Sequence, residues 1–315
     1  MIYQSLSDIP QVRERAVIIN VGTRFVTTLS LLSALKRTGM PVLLIDCPFN
    51  NHTDDYDYFT EMLKVYDFDL ICLPLKHHGD TLDAIFLNLK ADYILLIDSD
   101  LELLDNNVVG LMCKFADRKN IFGAGFRHGG FWIKKGVDYE EVRDGYYEER
   151  MWIPFTLLCV AKVKETLNNG FSFNIRTFYN IIPSKQVLSR KLLYSKRIQK
   201  ISFLKDADFS FFNGFKKIFH GKKPLIVLFD TGSDIYMYLR YQKNYIYAGI
   251  DAETSLEDDY VHHYNGITRR LMYDDPYNTG SVDKEYQGII TRLKDEYSFD
   301  YIQFNDTFVK NKTQH

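Results

Sequence analysis

Two aspartates separated by a single residue, Asp98 and Asp100, are the side chains whose type and spacing most clearly suggest chemistry. They directly follow an apolar run, Tyr93–Ile97, which indicates a buried strand. Alternate residues of an extended segment point the same way, so both carboxylates can face one site. Their oxygens suit Mg²⁺ or Mn²⁺, ions that proteins usually bind together with substrate phosphates. The motif predicts a metal–diphosphate site, with an acidic turn at a strand end as the structural alternative.

A repeated strand–helix pattern would position these aspartates. The strands are predicted at Ala16–Asn20, Val42–Asp46, Asp69–Leu73 and Tyr93–Ile97, and the intervening helices at Phe25–Leu35, Tyr58–Tyr66 and Leu82–Leu89. Strands that alternate with helices in this way are typical of a parallel, doubly wound sheet. Polar residues follow each predicted strand, and ligands of open α/β sheets bind outside the carboxyl ends of the strands. The pattern therefore predicts a nucleotide site at that edge.

A second group of candidate residues lies in the later part of the chain. Asp230-Thr-Gly-Ser-Asp234 precedes a helix-like stretch, and His263-Tyr-Asn-Gly-Ile-Thr268 follows it. Together with the strand ending in Asp46, His78-Gly79-x-x-Leu82 and Asp98-Ser99-Asp100, these are five motifs in order. Over about residues 15 to 270, this order resembles that of inverting, family-2-like glycosyltransferases with the GT-A fold.

The resemblance implies a fold and a reaction. The fold is α/β, a GT-A (Rossmann-like) mainly parallel sheet flanked by helices, with an acceptor-binding second half. The expected divisions are a nucleotide-sugar-binding half at 1–110, an acceptor-binding and catalytic half at 111–275, and a C-terminal helical tail at 276–315. The implied reaction is metal-dependent transfer of a sugar from a nucleotide diphosphate sugar to an acceptor hydroxyl. The implied acceptor is a glycan or lipid-linked molecule of bacterial surface polysaccharide or glycolipid assembly.

The resemblance also assigns roles to individual residues. Asp98, Asp100 and His263 would bind Mn²⁺ or Mg²⁺. The residues assigned to the nucleotide-sugar donor are Asn20, Thr23, Arg24, Asp46, His78, Asp98 and Ser99. The catalytic base would be Asp230 or Asp234, because the adjacent acidic pair typical of the family is missing here. We favour Asp230, since Asp234 can instead stabilise the start of a helix.

Two other functions remain compatible with the sequence. A nucleotidyltransferase would also place carboxylates and a metal on such a sheet, but it normally carries a Gly-rich loop with Arg or Lys after the first strand. Val21-Gly22-Thr23-Arg24 is too sparse for such a loop. A non-catalytic nucleotide-sugar-binding protein on a degenerate transferase scaffold is the other alternative, because the acidic pair is incomplete.

Composition narrows the class of protein further. The chain has 315 residues, with 39 Lys and Arg against 41 Asp and Glu, a formal net charge of −2 that argues against nucleic-acid binding. Four widely spaced cysteines in apolar stretches predict reduced, buried thiols rather than a zinc site. No leader-like segment follows Met1, and no apolar run approaches membrane-spanning length, so a cytoplasmic protein is expected.

The segment 185–223 departs from this neutral average. It contains eleven Lys and Arg residues against two acidic ones, with aromatic residues between them. Basic residues mixed with bulky apolar ones can hold a protein on an anionic leaflet. The segment predicts either a solvated helical hairpin or a peripheral contact at the inner face of the membrane.

Overall fold

The protein folds around a mainly parallel, eight-stranded sheet with helices on both faces, the Rossmann-like class predicted from the sequence. The computed structural model describes residues 1–48, 54–74, 77–129, 149–174, 176–180, 225–229, 231–250, 260–264, 267 and 279–313. The strands of the large sheet are β1 (Ile2–Tyr3), β2 (Val12–Asn20), β3 (Val42–Asp46), β4 (Asp69–Cys72), β5 (Ala91–Ile97), β7 (Ile121–Gly129), β8 (Glu149–Cys159) and β11 (Ile246–Gly249). Their order across the sheet is β1-β4-β3-β2-β5-β8-β7-β11.

Five neighbouring strands of this sheet, from β1 to β5, run parallel to one another. Asn20 of β2 lies opposite Asp46 of β3, and Ile18 of β2 lies opposite Ile97 of β5. The antiparallel strand β8 joins β5 to β7, and β11 then pairs parallel with β7. Because parallel strands share one direction, the polar residues that end β2, β3 and β5 all reach the same edge of the sheet.

Eight helices and two short sheets complete the part of the chain that the structure describes. The helices are α1 (Arg24–Arg37), α2 (Asp55–Met62), α3 (His78–Asn88), α4 (Asn107–Ala116), α5 (Val160–Asn168), α6 (Ser233–Met237), α7 (Thr279–Tyr297) and α8 (Tyr301–Thr313), with a 3₁₀ turn at Leu6–Asp8 and a π-helical turn at Tyr238–Gln242. In the short sheets, β6 (Leu101–Leu103) pairs antiparallel with β12 (Val261–His263), and β9 (Arg176–Asn180) pairs with β10 (Leu225–Phe229).

Two hydrophobic cores lie on opposite faces of the large sheet. Successive side chains of a strand point to opposite faces, so Leu44 and Leu95 belong to one core while Leu43 and Leu96 belong to the other. Helices α1, α2, α4, α7 and α8 cover the first core, and α3, α5 and α6 cover the second. A sheet buried on both faces explains why its strands are nearly continuous apolar runs.

The strands and helices predicted for the first hundred residues are all present, with shifted bounds. The second helix spans Asp55–Met62 instead of the predicted Tyr58–Tyr66. Its first turn contains Asp55 and Asp57, and carboxylates are favourable near a helix N-terminus. The third helix begins at His78 instead of Leu82, and its first turn contains Asp80, a carboxylate that is favourable near a helix N-terminus.

The prediction of four buried cysteines is wrong in one case. Cys47 is buried and Cys113 and Cys159 are partly buried, but Cys72 is exposed, since it ends β4 at the edge of the sheet. All four are free thiols. Among the described residues, no helix is both long and apolar enough to cross a membrane. The basic segment 185–223 lies outside the described residues, so its membrane contact stays a prediction.

The last two helices are integral to the first core. Ile289 and Leu293 of α7 are fully buried, and the ring of Phe308 on α8 lies 5.7 Å from that of Tyr58 on α2. The large sheet itself takes strands from both sides of residue 110. The division of the chain at residues 110 and 275 stays a prediction.

The tight approach of β7 to β8 gives a stability test. A Cβ atom on Gly123 would lie 2.6 Å from Leu158 Cδ2 and 2.8 Å from the carbonyl oxygen of Leu157. Gly123→Ala is therefore expected to lower the free energy of unfolding by roughly 1–3 kcal/mol, the usual cost of overpacking. The measurement is urea unfolding followed by circular dichroism.

The matched control is Gly110→Ala in the middle of α4, where nothing lies within 4 Å of the added Cβ atom. Removing a glycine from a helix interior should raise the free energy of unfolding by about 0.5–1 kcal/mol. Equal effects of the two substitutions would contradict the observed register of β7 on β8.

Candidate active site

Backbone hydrogen bonds fix the turn that contains the two aspartates. The N–H group of Asp98 donates to the carbonyl of Pro154 at 2.9 Å, and Ser30 Oγ on α1 donates to the carbonyl of Asp98 at 2.8 Å. The N–H group of Leu101 closes the turn by donating to the same carbonyl at 3.3 Å. The strand end is thereby held from β8 on one side and from α1 on the other. Asp100 is buried, whereas Asp98 is partly exposed.

The β6–β12 ribbon (Leu101–Leu103 paired with Val261–His263) brings His263 to these aspartates. His263 lies opposite Leu101 in the ribbon, and the N–H group of Tyr264 donates to the carbonyl of Asp100 at 2.9 Å. His263 Nε2 lies 3.1 Å from Asp100 Oδ1 and 3.8 Å from Asp98 Oδ2. The ring of the buried Trp152 on β8 packs edge to face against the imidazole at 5.3 Å.

The three predicted ligands therefore form one group, here called the Asp–Asp–His site (Asp98, Asp100 and His263). Each offers one ligand atom, and these atoms all lie within 4.8 Å of one another. Octahedral Mg²⁺ with ligands at about 2.1 Å places neighbouring ligand atoms about 3 Å apart and opposite ones about 4.2 Å apart. The two oxygen donors and one borderline nitrogen donor suit Mn²⁺ or Mg²⁺. The residues present thus fit a divalent cation.

A second polar cluster lies at the ends of β2 and β3, centred on the buried Asn20. Asn20 Nδ2 donates to Asp46 Oδ1 at 2.7 Å and to Asp55 Oδ2 at 3.0 Å. Asn20 Oδ1 accepts from Thr27 Oγ1 at 2.7 Å and from the N–H group of Thr23 at 3.2 Å. The structure thus joins three predicted donor-binding residues, Asn20, Thr23 and Asp46. The sequence interpretation missed Asp55 and Thr27, although the acidic start of α2 was a visible signal for Asp55.

Burial raises the pKa of Asp46 to about 6, and the neighbouring carboxylate of Asp55 adds to this effect, whereas the hydrogen bond from Asn20 opposes it. Asp46 and Asp55 share the amide group of Asn20, and ionising both carboxylates in a buried site is energetically unfavourable.

The remaining predicted donor residues have different surroundings. Arg24, at the start of α1, pairs with Asp54 at 3.2 Å, donates to Asn305 Oδ1 at 3.1 Å and lies over the ring of Tyr58. His78 is exposed in the first turn of α3, and Ser99 is buried between the two aspartates. Thr23 Oγ1 is buried and has no hydrogen-bond partner among the described residues. Donor binding by these residues stays a prediction.

The two candidates for the catalytic base differ in what the structure describes. Asp230 lies outside the described residues. Asp234 is buried in the first turn of α6, directly after Gly232 and Ser233. Gly232 has a φ of +77°, and its N–H group donates to the carbonyl of Phe173 at 3.0 Å. This left-handed turn, which favours glycine, starts the helix that bears Asp234.

The beginning of β8 connects α6 with the Asp–Asp–His site. A Cβ atom on Gly232 would lie 2.6 Å from Ile153 Cδ1, so the turn before α6 packs closely on this strand. Ile153 belongs to the second core, whereas its neighbour Trp152 belongs to the first and contacts His263. The same stretch of β8 therefore supports the Asp–Asp–His site from one face and α6 from the other.

Comparisons with known proteins give partial structural matches. No protein-family model matches the sequence, and no curated protein sequence matches it. The match to residues 1–349 of S. aureus TarS covers 52% of this chain and 50% of the TarS chain, at 14% identity and a TM-score of 0.36. The mannosyltransferase PcManGT from Pyrobaculum calidifontis, in complex with GDP-Man and Mn²⁺, matches 53% of this chain and 48% of its own at 9% identity and a TM-score of 0.36.

A third match is the 4-diphosphocytidyl-2C-methyl-D-erythritol synthase from Anaerococcus prevotii DSM 20548. It covers 64% of this chain and 86% of that chain at 13% identity and a TM-score of 0.37. The matches to TarS and to the mannosyltransferase span about half the length of those chains.

Metal binding gives the first test of the site. In a Trp132→Phe background, Trp152 is the remaining tryptophan of the two in the sequence. Because its ring contacts His263, we expect paramagnetic Mn²⁺ to quench its fluorescence in a saturable way. Asp100→Ala should remove this quenching. The control is Asp92→Ala, an exposed aspartate at the opposite end of the same strand, which should titrate like the unaltered protein. Quenching that persists in Asp100→Ala would contradict the site.

The buried Asp46 gives a test by pH. Its pKa is raised from 3.8 to about 6, so between these values the folded protein holds a proton that the unfolded chain releases. The contribution of Asp46 to the free energy of unfolding is complete below about pH 4 and is lost as the pH rises through about 6. The free energy of unfolding should therefore fall by up to roughly 3 kcal/mol. Urea unfolding from pH 4 to 8 should show this fall in the unaltered protein and not in Asp46→Asn. The exposed Asp92→Asn should retain it, and a fall preserved in Asp46→Asn would contradict the assignment.

Proposed function

We propose that this protein is a metal-dependent glycosyltransferase with a GT-A-like fold that moves a sugar from a nucleotide diphosphate sugar to an acceptor hydroxyl. The observation that carries the proposal is the convergence of Asp98, Asp100 and His263 at the carboxyl edge of a parallel sheet. These ligands come from two segments more than 160 residues apart in sequence. Two separate segments that bring oxygen and nitrogen donors to one point favour a binding function over an acidic turn.

The reaction requires three contributions from the chain: it must hold a divalent cation, accept the proton of the acceptor hydroxyl, and orient the donor. The acceptor oxygen forms a bond to the anomeric carbon while the bond from that carbon to the diphosphate breaks, with inversion. A bound divalent cation would neutralise the charge that develops on the leaving diphosphate. Asp98, Asp100 and His263 would hold that ion. A positioned carboxylate would take the proton of the acceptor hydroxyl.

The donor nucleoside is proposed to lie near the ends of β2 and β3. The hydrogen bonds of Asn20 hold Asp46 and the turn at Thr23 in fixed positions before any ligand arrives. A preformed polar group of this kind lowers the cost of orienting the donor for in-line attack. Arg24, His78 and Ser99 belong to the same proposal. The acceptor is proposed to be a glycan or a lipid-linked molecule, and the protein to be cytoplasmic, with the segment 185–223 as its contact with the inner membrane face.

The deciding experiment identifies the nucleotide product. Purified protein is first screened by thermal shift with Mn²⁺ and UDP-, GDP-, dTDP- and CMP-sugars. The stabilising donor is then incubated with Mn²⁺, with and without added pyrophosphate, and the products are separated by ion-exchange chromatography. Release of the nucleoside diphosphate, or of CMP where the donor is a CMP-sugar, that depends on Mn²⁺ and is lost in Asp100→Ala would support a glycosyltransferase. Formation of nucleoside triphosphate from the donor and pyrophosphate would indicate a nucleotidyltransferase, and tight binding without any product would indicate a binding protein.

The identity of the base is tested by two matched substitutions. Asp230→Asn keeps the shape of the side chain but removes its ability to accept a proton. Because a general base contributes roughly 10²–10⁴-fold to rate, kcat should fall by about that factor while donor affinity stays nearly unchanged.

Asp234→Asn is the comparison, since Asp234 is buried in the first turn of α6. It should mainly lower the midpoint of thermal unfolding, because a carboxylate at a helix N-terminus is stabilising. Loss of turnover in a folded Asp234→Asn protein, with normal turnover in Asp230→Asn, would reverse the assignment. Normal turnover in both variants would contradict the proposed mechanism.

A further inference from the structure

Glu102 is a fully buried carboxylate two residues beyond Asp100. Its Oε1 atom accepts hydrogen bonds from Arg292 Nε at 2.9 Å, from Arg292 Nη2 at 2.5 Å and from Tyr297 Oη at 2.7 Å. Its Oε2 atom accepts from Tyr264 Oη at 3.1 Å. We call this group the Glu102 clamp (Glu102, Tyr264, Arg292 and Tyr297). A buried charge is stable only when it is paired and hydrogen-bonded in this way.

The members of the Glu102 clamp lie on three different elements. Glu102 is the middle residue of β6, and Tyr264 directly follows His263 at the end of β12. Arg292 and Tyr297 lie on α7. The clamp therefore ties both strands of the β6–β12 ribbon to the C-terminal helix with a single carboxylate.

The β6–β12 ribbon needs such support. Each of its strands has three residues, and among the described residues it is a separate two-stranded sheet. A two-stranded ribbon of this length is at best marginally stable alone. Yet it sets the position of His263 relative to Asp100, since His263 lies opposite Leu101. Movement of β12 along or away from β6 would separate the imidazole from the carboxylates.

We propose that Glu102 is a positioning residue for the Asp–Asp–His site, and that α7 sets the metal affinity of that site through Arg292 and Tyr297. The inference rests on the metal site of the proposed function, but it assigns a new role to a helix that contains no ligand. Groups that hold metal ligands in position typically contribute 10- to 100-fold to metal affinity. Glu102 itself contacts no ligand side chain in the contacts described, and it acts by fixing the two segments that bear them.

The test compares the Mn²⁺ affinity of the unaltered protein with that of four variants, including Asp100→Ala, by isothermal titration calorimetry and by Trp152 quenching in the Trp132→Phe background. Glu102→Gln keeps the shape but removes the charge that Arg292 pairs with, and we expect an affinity loss of about 10-fold or more. Tyr297→Phe removes one hydrogen bond to Oε1 and leaves the core in place, so this variant should fold and should lose affinity by a smaller factor.

The matched control is Glu296→Gln. Glu296 neighbours Tyr297 on α7, but it pairs with Lys36 and Arg37 of α1, at 2.8 and 2.5 Å, instead of with the ribbon. This variant weakens the attachment of α7 to α1 and removes none of the hydrogen bonds that Glu102 accepts. Its Mn²⁺ affinity should equal that of the unaltered protein, even if its unfolding midpoint falls as far as that of Tyr297→Phe.

The outcomes separate the positioning role from mere stability. Reduced affinity in Glu102→Gln or Tyr297→Phe, with unchanged affinity in Glu296→Gln, would support the proposal. Unchanged affinity in both clamp variants, while Asp100→Ala loses Mn²⁺, would overturn the positioning role and leave the metal site standing. An equal loss in Glu296→Gln would also overturn it, because loosening α7 in general would then suffice. Absence of Mn²⁺ binding in the unaltered protein would overturn the metal site and this inference together.

Discussion

The parallel pairing of β2 with β3 and β5 is the constraint on which the candidate site depends. Parallel strands in register end at one edge, and this edge receives Asn20, Asp46 and Asp98 from segments that are distant in sequence. The antiparallel strand β8 then extends beyond the end of β5, so that its first residues can contact the groups beyond the sheet. Reversing the direction of any one of these strands would move its terminal polar residue to the opposite edge of the sheet.

The C-terminal helices α7 and α8 pack against α1, the helix that follows β2. Arg24 at the start of α1 contacts Asn305 of α8, and Arg37 at the end of α1 pairs with Glu296 of α7. Helix α1 is therefore held at both ends by α7 and α8. Ser30 of α1 also binds the turn at Asp98, whereas Arg292 of α7 binds Glu102 in the β6–β12 ribbon, so the Asp98 turn and the ribbon are held by different helices.

The strands and helices of the first hundred residues could be predicted because most of these strands are apolar runs followed by a polar residue. The grouping of Asp98, Asp100 and His263 was predicted from the order of the motifs, and the structure brings the three together. The insertion of β8 between β5 and β7 was not predicted, because an antiparallel partner can come from any later apolar segment. The hydrogen bonding of Glu102 left no signal in the sequence, since one glutamate between two leucines does not indicate that its carboxylate accepts from Tyr264, Arg292 and Tyr297.

The contacts of α7 and α8 with α1 and α2 have a consequence for biosynthesis. Helices α1 and α2 emerge from the ribosome long before α7 and α8, yet Phe25 and Tyr58 pack against the rings of Tyr286, Tyr301 and Phe308. Until α7 and α8 have been translated, Phe25 and Tyr58 lack these partners, and exposed apolar surface makes partly folded chains prone to aggregation. Contacts between residues almost 300 positions apart also form slowly, because a long loop must close first. Shielding of the nascent chain until α7 and α8 have emerged would therefore favour folding over aggregation.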